Sequence, residues 1–112
     1  MQRGEIWWAS LREPLGSEPG YRRPVVIIST DDMNLSSIKT VLTAILTTNL
    51  NLANAPGNVA VSADETGLAK ASVVNVSQLV TVDKAFMTEY VGIVEADTMI
   101  KVAAGLRLIM VL

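Results

Sequence analysis

Pro24-Val25-Val26-Ile27-Ile28-Ser29 is an apolar run that opens on a proline. Four consecutive β-branched residues favour extended backbone. With no polar alternation, such a strand must be covered on both faces or closed into a barrel. Proline fixes its own φ and pushes the residue before it out of the helical region. Arg23 is therefore held extended at the mouth of the strand, with its guanidinium at a defined place. A loop from Leu11 to Tyr21, carrying Pro14, Gly16, Pro19 and Gly20, delivers the chain to the pair Arg22-Arg23. A planar, permanently charged fork at a rigid strand edge suits a phosphate. The same two residues also fit a solvated pair ahead of a buried strand.

The 112 residues predict one domain, 1–112, with enough chain to bury a core. No uninterrupted apolar run reaches the ~18 to 20 residues of a membrane span. The start, Met1-Gln2-Arg3-Gly4-Glu5, lacks a basic-then-apolar leader. A cytoplasmic protein with no membrane association is expected. There is no cysteine and no histidine. That excludes a disulfide framework, the usual zinc sites and every Ser-His or Cys-His catalytic pair. No GxxxxGK[ST] phosphate loop is present. No metal and no cofactor are expected, and chemistry must run on Arg, Lys, Glu, Asp, Ser, Thr or Tyr. The net charge of −2 argues against nonspecific coating of nucleic acid. Four of the five arginines nevertheless lie in the first 23 residues, Arg3, Arg12, Arg22 and Arg23. A local basic site on a mildly acidic body favours a short phosphate contact.

In chain order the pattern is mainly β. Strands are predicted over Gly4–Ala9, Pro24–Thr30, Lys39–Thr48, Asn58–Ser62, Ser72–Val82 and Glu89–Val94. Thr30-Asp31-Asp32 reads as a helix N-cap with acids in the first turn. Asn49–Gly57 is a loop, Asp64–Gly67 is a turn, and Asp83–Thr88 is a turn or a single helical turn. Along the fifth strand, Val74, Val76 and Val80 are assigned to one face and Asn75, Ser77 and Leu79 to the other. From about Ala96 the period becomes helical, with Met99, Val102, Ala103, Leu106, Ile109 and Met110 on one stripe. Ile100, Leu108 and Val111 fall off that stripe, so the helix has a second apolar surface to cover, and a second subunit is the simplest cover. Short strands with one terminal helix point to a small, partly open β-barrel with helical decoration, an α+β chain that is mainly β.

These residues resemble a known family. Arg3-Gly4-Glu5-Ile6-Trp7-Trp8, then Gly16-Ser17-Glu18, Arg23-Pro24-Val25-Val26-Ile27-Ile28-Ser29 and Thr47 are similar to the MazF/PemK-like toxins. Gly67-Leu68, Ser72-Val73-Val74, Gln78, Thr81-Val82-Asp83 and Gly92 continue the pattern in the same order. The resemblance implies an SH3-like (CcdB/PemK) barrel and a homodimer. It implies a metal-independent endoribonuclease that cuts single-stranded RNA at short sequences, held silent by a cognate antitoxin. An acidic antitoxin tail would mask Arg22 and Arg23. The family's RP-motif arginine falls on Arg23, its threonine at the end of the next long strand on Thr47 or the neighbouring Thr48, and its loop glutamate on Glu18. Two departures bear on sequence preference: Ala71 stands where the family often has an acid, and Ala85-Phe86 where a basic residue is common.

Under that resemblance the chemistry is tractable without histidine, because RNA brings its own 2′-hydroxyl nucleophile. The enzyme must align that hydroxyl and stabilise charge on the nonbridging oxygens. Arg23 offers two parallel donors, Thr47 a hydroxyl, and Glu18 a carboxylate to accept the 2′-OH proton. The products are then a 2′,3′-cyclic phosphate and a 5′-hydroxyl. Trp8 and Tyr21 are candidate base-stacking residues and Gln78 a base-edge contact. Each has a plainer reading: strand threonines, a solvated loop acid, a core tryptophan, a satisfied barrel amide. Trp7 and Trp8 point to opposite strand faces, one of them into the core. A toxin of the same fold that binds a protein target such as DNA gyrase, or an inert binding module, are the alternatives; the former would place its effective residues on the C-terminal helix.

Overall fold

The computed structural model describes residues 1–11 and 22–112. Glu18 and Tyr21 lie outside the described residues. Among the described residues six strands form: β1 Glu5–Ser10, β2 Arg22–Ile27, β3 Thr40–Thr47, β4 Val59–Val61, β5 Ser72–Asp83 and β6 Met87–Ile93. They pair antiparallel in the order β4-β5-β3-β2-β1-β6, a single curled sheet with β4 and β6 as its edges. This is the small open barrel that the strand pattern predicts. Three helices join it: α1 Asp31–Asn34, α2 Ala63–Thr66 and α3 Ala96–Met110. No helix among the described residues is long and apolar enough to cross a membrane.

The run after Pro24 is covered on both faces, as its continuous apolarity demands. Val26 lies across from Ile6 on β1 and Ala44 on β3. That row joins Leu46, Val74 and Val102 in a core roofed by α3. Val25 and Ile27 face the other way, into a second core with Ala9, Val41, Ile45 and Val82. Opposed residues of an antiparallel sheet share a face, so β2 works as the partition between two cores.

Local chemistry fixes the turns. Thr30 Oγ1 accepts the Met33 N–H, which caps α1 as the sequence predicts. The stretch read as an Asp64–Gly67 turn is the helix α2, with Ser62 accepting the Glu65 N–H at its start. Gly67, at φ +83°, closes it in the left-handed region where a side chain would be strained. Glu65 then caps a different helix. Its Oε2 accepts the Glu95 N–H at 3.1 Å and the Thr98 hydroxyl, and so serves the α3 N-terminus, whose own N-cap side chain makes no capping bond.

The structure departs from the sequence reading at three further places. First, β5 does not alternate. Where β3 advances one residue, from Ala44 to Ile45, β5 advances four, from Leu79 back to Asn75. Ser72 to Val76 are all buried, and the excess residues bulge outward, held by Asn58 Oδ1 on the Val76 N–H and by Asn75 on Ser77 and Gln78. Second, neither tryptophan of β1 is fully buried. Trp7 packs edge-on against Tyr90 at 5.7 Å and donates to Glu5, so its indole N–H stays partnered at the rim of the second core. Third, the buried face of α3 is Thr98, Met99, Val102 and Gly105, while Ile109 and Met110 are exposed. Among the described residues nothing buries the apolar side chains of the last helical turn.

Candidate active site

Strand pairing explains how Arg23 and Thr47 come to one place. The β2–β3 ladder couples Ile27 with Thr43, Val26 with Ala44 and Val25 with Ile45. Continuing that register two residues brings Arg23 opposite Thr47, on the same face of the sheet. The bonded pairing ends at Val25, because Pro24 has no N–H to donate. The two strands are thus aligned but not closed where the candidate residues stand. On its other side β2 stays paired, Ala9 with Arg23 and Ser10 with Arg22, so the arginines are held inside the strand.

The two arginines have different surroundings. Arg22 lies over the indole of Trp8, its guanidinium carbon 4.7 Å from the ring centroid. It also donates to Glu89 Oε1 at 3.0 Å. Trp8 pairs with Glu89 across β1 and β6, which puts the three side chains in one stack. Arg23 is half-buried, and among the described residues no carboxylate pairs with it.

Thr47 is half-buried at the end of β3. Its Oγ1 accepts the Asn49 N–H at 3.2 Å. With that acceptor position taken by the backbone, the hydroxyl proton is turned away from Asn49 and is available to an outside oxygen. Thr48 is exposed on the next step of the chain.

These residues border one cleft of about 510 Å³. Arg22, Arg23, Thr47, Thr48 and Lys70 supply its polar groups, and Trp8, Pro24, Leu46 and Leu68 its apolar surface. Among the described residues lining it there is no carboxylate. Three cations converge on an open groove floored by apolar side chains, an arrangement suited to a backbone of phosphates with bases laid against the walls. The hydroxyl residues Thr47, Thr48 and Ser72 also line the cleft, and no group of three potential metal-ligating residues occurs among the described residues. Of the residues singled out from sequence, Arg22, Arg23, Thr47, Thr48 and Trp8 meet here. Gln78 sits on the β5 bulge, its Oε1 accepting from Asn75, apart from the residues that line the cleft. Glu18 and Tyr21 lie outside the described residues. Lys70 was not singled out: sequence shows it only as one residue of a turn between two elements.

Residues 2–110 match the family described as PemK-like, MazF-like toxin of type II toxin-antitoxin system. The chain is 47% identical over 107 residues to Endoribonuclease MazF6 of Mycobacterium tuberculosis (strain ATCC 25618 / H37Rv), covering 96% of this chain and 94% of that relative. It is 32% identical over 108 residues to Endoribonuclease EndoA of Bacillus subtilis (strain 168), covering 96% and 92%. In fold it is similar to the Mycobacterium tuberculosis toxin MazF-mt6, with TM-score 0.79 at 22% identity over 96% of this chain and 97% of that one. A mycobacterial endoribonuclease solved in complex with its cognate antitoxin superposes with the same TM-score over 100% and 96%. With the family pattern spanning nearly every residue and the curated relatives aligned almost end to end, this chain belongs to the PemK-like, MazF-like toxins of type II toxin-antitoxin systems.

Proposed function

We propose that the cleft between β2, β3 and the α2–β5 connection is the active site with which this toxin, an endoribonuclease, cuts single-stranded RNA. The observation that carries the reading is the register that sets Arg23 against Thr47 beside an unclosed ladder. The 2′-oxygen of one ribose attacks the adjacent phosphorus, the P–O5′ bond breaks, and the products are a 2′,3′-cyclic phosphate and a 5′-hydroxyl. Arg23 donates two N–H groups to the nonbridging oxygens as charge gathers on them. Thr47 adds a hydroxyl donor, already oriented by Asn49. Glu18 accepts the 2′-OH proton, and the leaving 5′-oxygen takes a proton as it departs. Arg22 and Thr48 hold neighbouring parts of the strand, and Trp8 and Tyr21 stack bases. Gln78 reads a base edge.

The chain acts in the cytoplasm as one toxin domain, 1–112, and as a homodimer. The uncovered apolar residues Ile93, Ile100, Leu108 and Met110 support the second subunit. A cognate antitoxin silences it by occupying the cationic cleft. Expression of the wild type and of Arg23→Ala in cells tests the assignment. Growth arrest with new 5′-hydroxyl RNA ends is expected from the wild type and is lost in the variant. Arrest by Arg23→Ala with the same RNA ends refutes the role given to Arg23.

A further inference from the structure

We infer that Lys70 is a substrate-positioning residue that grips an RNA phosphate next to the scissile one. This rests on the cleft being the RNA site. Arg23 and Thr47 account for one phosphate, and Arg22 already has Trp8 and Glu89 as partners. Lys70 reaches the same cleft from a different element, the connection between α2 and β5. It is exposed, and among the described residues its ammonium has no ion-pair partner. Lys84 offers the contrast, since its ammonium donates to the Ser36 carbonyl at 3.0 Å and so ties two parts of the fold together.

The backbone that carries Lys70 is fastened at both ends. Gly67 closes α2, and Thr66 Oγ1 accepts the Leu68 N–H at 3.0 Å. The buried Ser72 donates its hydroxyl to the Lys70 carbonyl at 3.2 Å. A long flexible cation on a fixed base fits a phosphate contact that tolerates any base, because an ammonium is a point charge without the fork that reads a planar edge. The cleft therefore engages at least two consecutive backbone phosphates, one held by geometry and one by charge.

The test uses the full-length protein and a single-stranded RNA oligonucleotide containing a mapped cut site, with a copy carrying 2′-deoxy at the scissile ribose to measure binding without cleavage. For Lys70→Gln we expect KM raised about 5- to 10-fold at low salt with kcat within about two-fold of wild type. The slope of log Kd against log salt becomes shallower by about 0.7, the loss of one phosphate contact on a single strand. Lys70→Arg restores both. The same set of cut sequences is expected throughout. A wild-type Kd and salt slope in Lys70→Gln overturns the inference and leaves the active-site assignment standing. A change in which sequences are cut makes Lys70 a base reader and also overturns it. Wild-type cleavage by Arg23→Ala on this RNA removes the cleft as the active site, and Lys70 with it.

Discussion

Gly105→Ala tests how α3 is seated. Gly105 is buried and faces Gly57, and an added Cβ would stand 2.0 Å from the Gly57 carbonyl oxygen, 2.8 Å from its carbon and 3.0 Å from its Cα. Ordinary contact is about 3.5 Å, so helix and loop must part by about 1 to 1.5 Å. The loop has little room to yield. Gly57 sits at φ +81° and Asn58 anchors it through the Leu52 carbonyl and the Val76 N–H. The helix therefore retreats and partly unseats Met99 and Val102, each worth about 1.5–3 kcal/mol when fully buried. Alanine returns about 1 kcal/mol of helix propensity. The net expectation is a loss of about 2 kcal/mol, a fall in Tm of about 5–10 °C. Thermal and urea unfolding at matched protein concentration measure it, since any self-association makes apparent stability depend on concentration. Ala104→Gly, at the exposed position next door, is the control, with about 1 kcal/mol lost through propensity alone. If Gly105→Ala is as stable as the wild type or more so, the close approach of the two backbones does not constrain the fold.

The remaining predictions bear on the cleft and its support. Arg23→Lys should lower kcat by about 10²-fold or more, since an ammonium cannot make the paired contact, and near-normal single-turnover cleavage would count against that role. Glu89→Gln frees Arg22 from its one ion partner among the described residues, and should tighten RNA binding about two- to five-fold at low salt, an effect that vanishes at high salt; unchanged affinity means that Arg22 does not meet RNA. Glu65→Ala removes both bonds at the α3 N-terminus and should cost about 1–2 kcal/mol in urea unfolding, with no loss there contradicting the shared cap. Cleavage should persist in EDTA, because the proposed chemistry runs on Arg23 and Thr47 and no group of three potential metal ligands occurs among the described residues; abolition by EDTA would contradict the scheme.

What the sequence revealed and what it hid divide along the range of the interactions. Strand β2 was legible because four β-branched residues behind a proline leave few alternatives, and α1 because Thr30 and two acids announce a cap. The bulge of β5 was not, since it depends on Asn58, distant in sequence, reaching the Val76 N–H. The same holds for Gly105, whose value lies in Gly57 standing against it. At the cleft, Arg23 and Thr47 were found from residue type and resemblance. Their alignment is a matter of register, which only the pairing of Val25 with Ile45 supplies. Lys70 and Glu89 left no local signal at all: Lys70 reaches the cleft from the α2–β5 connection, and Glu89 meets Arg22 across the sheet.

The doublet Arg22-Arg23 shows why two identical residues are not redundant here. Both line the cleft, yet their neighbours differ. Arg22 finds an indole and a carboxylate, so its charge is partly answered before any ligand arrives. Arg23 shares the cleft with Thr47, a neutral residue, and no carboxylate among the described residues pairs with it. In the active site proposed above, a guanidinium with no carboxylate partner among the described residues favours whichever species brings the most negative charge to that spot, and a phosphodiester under attack by its own ribose carries more than one at rest. That preference is catalysis in its electrostatic form. The proposed site needs no histidine, only a ladder whose pairing stops at Val25, two residues short of the arginine, with Pro24, which has no N–H to donate, between them.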